Sequence, residues 1–373
     1  MQHYSRTADN NDVVHPGVIL RQVLSEWKMT QKDLSDAIGK STPVINDIIM
    51  KRRSISPEIA YMLEAVIDDI PATEWLSYQS QYDLAMIRKN EIVAQKRKNL
   101  EAWNQLKSFF NASYLKKKLC LTGTPEDNIE KIYQFFNVTS IEALKEKSNY
   151  TESYFRRSTS LSIDSTNLMT WMLMVRKNSS DQPSLKTQFD KKQVDDLIKK
   201  LNEIFFRNEK TLEKTERTLN RYGVKFVFEE NLERTPVDGY SFWDGENPTI
   251  AISLRYKRLD NFAFAIMHEL GHIVKHMRRD KGQEFIDIIK HDTDESKEAE
   301  ANQFATEALC SNAPLNDLFK QWQKNPFLAK NNIISTAEKY KINPSIITGQ
   351  FQYFCGTYSA CRDLLSTVDI GKC

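Results

Sequence analysis

The sequence predicts a mainly α-helical chain with a small β-sheet, an α+β architecture built from more than one folded unit. Three observations lead there. The 11 glycines and 11 prolines among 373 residues are too few for the many tight turns of a sandwich or barrel. Apolar residues recur at three- and four-residue intervals over most of the chain. Strand signals emerge only late, at "VKFVFEE" (224–230) and "TIAISL" (249–254). The length also exceeds that of a typical domain of about 150 residues, so one core is not expected.

In chain order, residues 1–14 are polar, lack the apolar stretch of a signal peptide, and read as a disordered lead. Residues 15–85 form a unit of short, sharply punctuated helices. Residues 86–185 form a helical middle region. Its basic start, within the helical run 83–118, carries a net charge of +7 over residues 88–118, which suits a solvated helix face, a nucleic-acid contact or a charged linker. "SSDQPS" (179–184) marks a boundary, and residues 186–373 form the last unit. There, helices are expected over 190–206 and 209–222, then the two strands. Pro236, Gly239, Gly245 and Pro248 read as turn residues between them, and a helix follows from Asp260 or Asn261 to Met277.

The net charge of +2 excludes nucleic-acid binding by bulk charge and requires a local patch instead. Without an apolar run of about 18 residues, no membrane span is expected, and the chain reads as cytoplasmic. Its five scattered cysteines, with no C-x-x-C pair, point to a reducing compartment and away from a cysteine zinc site.

Within the first unit, Thr30 is an N-cap, with Asp33 supporting the first turn of a helix striped by Leu34, Ala37 and Ile38. Gly39 ends that helix. Thr42 is expected to cap the next, with Pro43 at its first position and Val44, Ile45, Ile48 and Ile49 inward. Two short helices joined by a glycine turn make a helix-turn-helix, whose second helix enters the major groove of double-stranded DNA. Thr42, Pro43 and Asn46 then face the groove, where Asn can pair with adenine. Gln31 lies at the start of the first helix, near a phosphate, and Lys51, Arg52 and Arg53 follow the second helix as phosphate contacts.

Within the last unit, "AIMHELGHIVKH" carries His268-Glu269-x-x-His272. On a helix these imidazoles lie one turn and about 40° apart, so both face one point, as a Zn2+ ion requires. Glu269, rotated about 100° from His268, can flank the metal as general base without ligating it. A third ligand is expected in "DESKEAEANQFATEAL". Glu298 is favoured over Glu300 and Glu295, and Asn302, one turn on, would hold a zinc histidine from behind. His276 either touches substrate or caps the helix end, and His291 reads as a surface residue. Arg255, Tyr256 and His276 are the available oxyanion partners.

The residues from His15 to Leu84 resemble the lambda-repressor-like (XRE) domain of HigA-type antitoxins. The likeness rests on His15-Pro16-Gly17, Thr30-Gln31-x-x-Leu34, Arg53-x-Ile55-Ser56 and Trp75-Leu76. Lys51 departs from it, since the family usually has Gly there. The resemblance implies a homodimer that binds a palindromic operator and represses transcription, and more weakly a toxin partner. "NPTIAISLRYKRLDNFAFAIMHELGH" followed by Glu298-x-x-Ala301-Asn302-x-Phe304-Ala305 resembles the ImmA/IrrE zinc metallopeptidases. That likeness implies a zincin-like fold, His268, His272 and Glu298 as ligands, Glu269 as catalyst, and a peptide substrate lying along an edge strand, for which 249–254 is the candidate. The polar Cys310-Ser311-Asn312-Ala313-Pro314 departs from the apolar ending expected.

Two readings follow. One is a DNA-binding regulator whose zinc endopeptidase cleaves a protein such as a repressor or toxin. The other is a HigA-type antitoxin or autorepressor whose metal domain is a non-catalytic sensor or scaffold. A nuclease is disfavoured, because no paired carboxylates for two-metal chemistry are evident.

Overall fold

The computed structural model describes residues 13–147, 164–278, 284–288, 295–310 and 315–371. Most of the 1–14 lead, His291 and the 311–314 segment lie outside them. The chain divides into two compact units, Met1–Ala102 and Trp103–Cys373.

The first unit is all helical: α1 (Pro16–Glu26), α2 (Gln31–Ile38), α3 (Thr42–Ile49), α4 (Pro57–Val66), α5 (Ala72–Lys89) and the start of α6 (Glu91–Phe109). Leu20, Val23, Leu34, Ile45, Ile48, Leu63 and Trp75 form its core. Local chemistry sets each boundary. Thr30 and Asp33 cap α2 reciprocally, and Gly39 closes it at φ 64°. His15 caps α1 by accepting the Gly17 N–H at Nδ1 over 2.9 Å, with Pro16 in the first turn. A Cβ on Gly17 would lie 1.9 Å from the Ile48 carbonyl oxygen, so glycine there lets α1 press against the end of α3. Ala37 is exposed, so the buried stripe of α2 is Leu34 and Ile38 with Ser35. Ser41, not Thr42, is the N-cap residue of α3. Thr42 is already the first helical residue, and its hydroxyl donates to Ser35 Oγ of α2 at 3.2 Å. The expected run 83–118 is broken at Asn90 and again before α7 (Ala112–Lys118).

The second unit is mixed. After α7 come α8 (Pro125–Phe136), α9 (Ile141–Lys147) and α10 (Ser165–Ser180). Then follow α11 (Val194–Arg207), α12 (Thr211–Arg221), β1 (Lys225–Phe228), β2 (Val237–Asp244), β3 (Asn247–Ile252), α13 (Leu259–Lys275) and β4 (Phe285–Ile288). The chain continues through α14 (Glu295–Cys310), α15 (Leu315–Lys324), α16 (Pro326–Tyr340) and α17 (Pro344–Cys355). The four strands lie in the order β1-β3-β2-β4, with β1 parallel to β3 and the other pairings antiparallel.

Two features depart from expectation. First, β2 occupies the stretch read as turns, because Gly239 sits inside the strand at a register shift between Val237 and Gly239. Second, β3 is flanked by β1 and β2. It is therefore not an edge strand; among the described residues the edges are β1 and β4.

The sheet is covered on both faces. Phe226, Ile250 and Ile252 join the core that surrounds α13, with Phe262, Ile266 and Leu270. Val227, Val237, Tyr240, Phe242 and Ala251 pack against Leu168, Trp171, Met172 and Val175 of α10. Over Leu168–Val175 helix α10 is apolar nearly all round, as a helix buried on more than one side must be. Away from the sheet it meets the start of α7: the Asn111 N–H donates to Thr170 Oγ1 at 2.7 Å. The stretch read as a middle region thus supplies a layer to the unit that carries the histidine helix.

Candidate metal centre and helix-turn-helix surface

Helix α13 runs through the centre of the second unit, with His268 2% exposed, Glu269 0% and His272 1%. Helix α14 crosses it closely. A Cβ on Gly271 would meet Phe304 Cδ1 at 3.1 Å and Ala301 Cα at 3.3 Å, so the glycine of His268-Glu269-Leu270-Gly271-His272 brings the two backbones together.

That approach delivers Glu298 to the histidines. Its Oε2 lies 3.2 Å from His268 Nε2 and its Oε1 3.4 Å from His272 Nε2, and the two imidazole nitrogens are 3.0 Å apart. The three ligand atoms all fall within 4.8 Å of one another. Asn302, one turn along α14, accepts from His268 Nδ1 at 3.0 Å. An N–H at Nδ1 leaves the Nε2 lone pair directed at Glu298 and His272.

Two nitrogen lone pairs and a carboxylate converging under low exposure repel one another unless a cation lies between them. Burial lowers the His272 pKa, and the lone pair is the form a metal needs. Burial alone would raise the Glu298 pKa; in the absence of a metal, His268 and His272, when they carry the proton at Nε2, hydrogen-bond to it and outweigh burial, lowering it to about 2, so this group stays an anion. An N, N, O donor set of this kind fits Zn2+.

Aromatic rings flank the ligands. Phe264 lies 6.0 Å from His268, and Phe285 of β4 stacks on His272 at 4.4 Å with the rings 9° from parallel. Glu269 points to the sheet, where a Cβ on Gly239 would lie 2.2 Å from its Oε1. The glycine in β2 therefore makes room for this carboxylate. Glu300 faces His276 instead, at 3.8 Å from Nε2, and His276 forms the C-cap of α13. Arg255 donates to the Tyr256 hydroxyl at 2.6 Å, so these two are engaged with each other. Gly239, Gly271 and Phe285 are the site residues that sequence reasoning missed. Only Gly271 had a visible signal, a glycine inside an otherwise continuous helical pattern.

In the first unit, Gln31 opens α2 and is half-buried. Thr42 and Pro43 are exposed at the start of α3, and Asn46 is half-buried one turn on. Lys51, Arg52 and Arg53 are exposed just beyond. Arg52 is engaged by Asp47 Oδ1 at 2.8 Å from Nη2. Lys51 holds φ 66°, the left-handed region that favours glycine, which is the residue the HigA-like pattern has at this position; nothing in the structure explains the lysine.

Family comparisons agree with this division. Residues 220–341 match the IrrE N-terminal-like domain of the M78 peptidase family, and residues 21–75 match a helix-turn-helix family. No curated protein matches the chain. Similar solved structures include the Pseudomonas aeruginosa antitoxin HigA with the higBA promoter, at 34% identity over 24% of this chain and 92% of that one, TM-score 0.21. A second Pseudomonas aeruginosa protein, in complex with its operator DNA, is 33% identical over 25% of this chain and 92% of that one, TM-score 0.21. A HigA-family addiction-module antidote protein from Coxiella burnetii is 26% identical over 23% and 92%, TM-score 0.21. Among the described residues, no helix is long and apolar enough to cross a membrane.

Proposed function

We propose that this chain, an XRE-type helix-turn-helix domain joined to a domain of the M78 peptidase family, is a DNA-binding transcriptional regulator whose second domain is a zinc-dependent endopeptidase. The observation that carries the reading is the convergence of His268, His272 and Glu298 within 4.8 Å beside the buried Glu269. Three protein ligands is the number used at catalytic zinc sites, whereas structural sites use four.

His268, His272 and Glu298 would hold Zn2+, which when bound supplies an acidified water and a Lewis acid for the scissile carbonyl. Asn302 keeps the His268 tautomer fixed. Glu269 accepts the water proton at its carboxylate and passes it to the departing amine. Phe264 and Phe285 limit water around the ligands. β4, the edge strand nearest His272, is where an extended peptide of a protein substrate, such as a repressor or toxin, would add as a further strand. In the first unit, α3 would read the major groove through Thr42, Pro43 and Asn46, with Gln31, Lys51, Arg52 and Arg53 on phosphates. A homodimer would match a palindromic operator.

The test compares the full chain with His272→Ala and Glu269→Gln. Elemental analysis should find one zinc in the parent and in Glu269→Gln, and none in His272→Ala. New protein N-termini should appear in a cell extract treated with the parent alone. A parent that binds no zinc, or a Glu269→Gln chain that makes the same cuts, would refute the peptidase reading. Asn46→Ala should weaken binding to the DNA upstream of its own gene in a mobility-shift assay.

A further inference from the structure

Among the described residues, the edge strand beside the candidate metal centre, β4, spans Phe285–Ile288 and pairs with β2, across a register shift. The first residue of β4, Phe285, stacks on His272 and lies 5.7 Å from His276. Something must fix this strand if Phe285 is to fix the imidazole.

Glu284, directly before β4, supplies it. Successive residues of an extended chain point to opposite faces of a sheet. Phe285 faces α13, and Glu284 turns to the α10 face. There its carboxylate meets the guanidinium of Arg176, from α10, and accepts from the Tyr240 hydroxyl at 2.5 Å. Arg176 also donates to that hydroxyl at 2.6 Å, and its guanidinium lies 4.6 Å from the centre of the Phe242 ring. The Arg176 and Glu284 side chains are only 21% and 10% exposed. A planar guanidinium held by an aromatic face, a phenol and a carboxylate at once has little freedom.

We infer that Arg176 is a positioning residue for the metal centre: through Glu284 it clamps the start of β4 from the opposite face of the sheet, and through Phe285 it sets the His272 ring. The inference rests on the metal-site reading for its consequence, but its geometry can be tested without metal.

The experiment uses the full chain and four variants: Arg176→Met, Glu284→Gln, the double variant, and Phe285→Leu. In the parent, Phe285 should displace the His272 ring-proton resonances through its ring current, and Phe285→Leu gives the undisplaced reference. Both single variants and the double should move these resonances to that reference. Hydrogen exchange over 284–288 should quicken about tenfold or more while exchange over 259–275 and 16–66 stays at parental rates, since a clamp acts on a local opening. Zn2+ affinity, read by chelator competition, should fall about 10–100-fold, the range seen when groups supporting a ligand are lost. The double variant should be no worse than the worse single variant, because the pair acts as one unit.

Unchanged His272 resonances with unchanged exchange over 284–288 would overturn the inference. So would exchange that quickens equally over 259–275, which would mean that the pair holds the whole unit. A parent that binds no zinc sinks the peptidase reading, and the resonances and exchange still decide the clamp.

Discussion

Replacing Gly17 by alanine tests the packing of the first unit, because propensity and packing predict opposite signs. In an open helix, Gly to Ala stabilises by about 1 kcal/mol. Here the new Cβ would lie 1.9 Å from the Ile48 carbonyl oxygen and 2.7 Å from its carbon. An ordinary carbon–oxygen contact is about 3.3 Å, so roughly 1.4 Å must be found. The obstacle is backbone at the end of α3, which cannot swing aside as a side chain can. Moving α1 away opens the contact of Leu20 and Val23 with Ile45 and Ile48, all buried at 0% exposure. Overpacking of this kind costs about 1–3 kcal/mol, and the separation adds lost burial at about 25 cal/mol per Å2. Gly17→Ala should therefore destabilise the unit by about 2 kcal/mol or more. Hydrogen exchange of peptides from 16–49 through a urea titration of the full chain measures it. A variant as stable as the parent, or more stable, would refute the close approach of α1 and α3.

Other expectations follow from the same geometry. Lys51→Gly removes a side chain from the left-handed region and should stabilise the first unit by about 1 kcal/mol in that assay. His15 caps α1 through a neutral Nδ1. Burial, then the Lys51 charge, lowers its pKa from the ordinary 6.5, against a smaller opposing effect of Asp83. A lowered folded-state pKa means that the contribution of His15 is complete above about pH 6.5 and is lost as pH falls through the folded value. Unfolding at pH 7.5 and pH 5 should show this loss, and His15→Asn, which caps without titrating, should flatten it. Gly239→Ala forces its Cβ against Glu269, so zinc should stay bound while cleavage falls about 100-fold, the effect of about 1 Å of misplacement. Loss of zinc instead would show that Gly239 serves the ligands and not Glu269.

The helical pattern of this protein was largely legible where boundaries were written locally; the breaks at Asn90 and before α7 were not. The Thr30–Asp33 box, the Gly39 stop and the proline-started helices need no distant partner to be read. The histidine pair was legible for the same reason, since four residues of helix fix its geometry. Glu298 was harder: it lies on another helix, and its choice over Glu300 depended on how α13 and α14 cross, which Gly271 and Phe304 decide. β2 was hidden by its own glycine, placed for a neighbouring carboxylate and not for a turn. β4 is too short to carry periodicity, and nothing local marks Glu284 as the partner of Arg176, 108 residues away.

Helix α10 sits on the wrong side of the boundary one would draw from "SSDQPS", and this affects how the protein can be divided. A fragment started at residue 186 would keep every proposed zinc ligand and lose the cover over Val227, Val237, Tyr240, Phe242 and Ala251. That bare, largely apolar sheet face would invite self-association, and Glu284 would be left without its guanidinium. Insolubility or inactivity of such a truncated protein would report a missing wall, and would say nothing about what the intact chain can do.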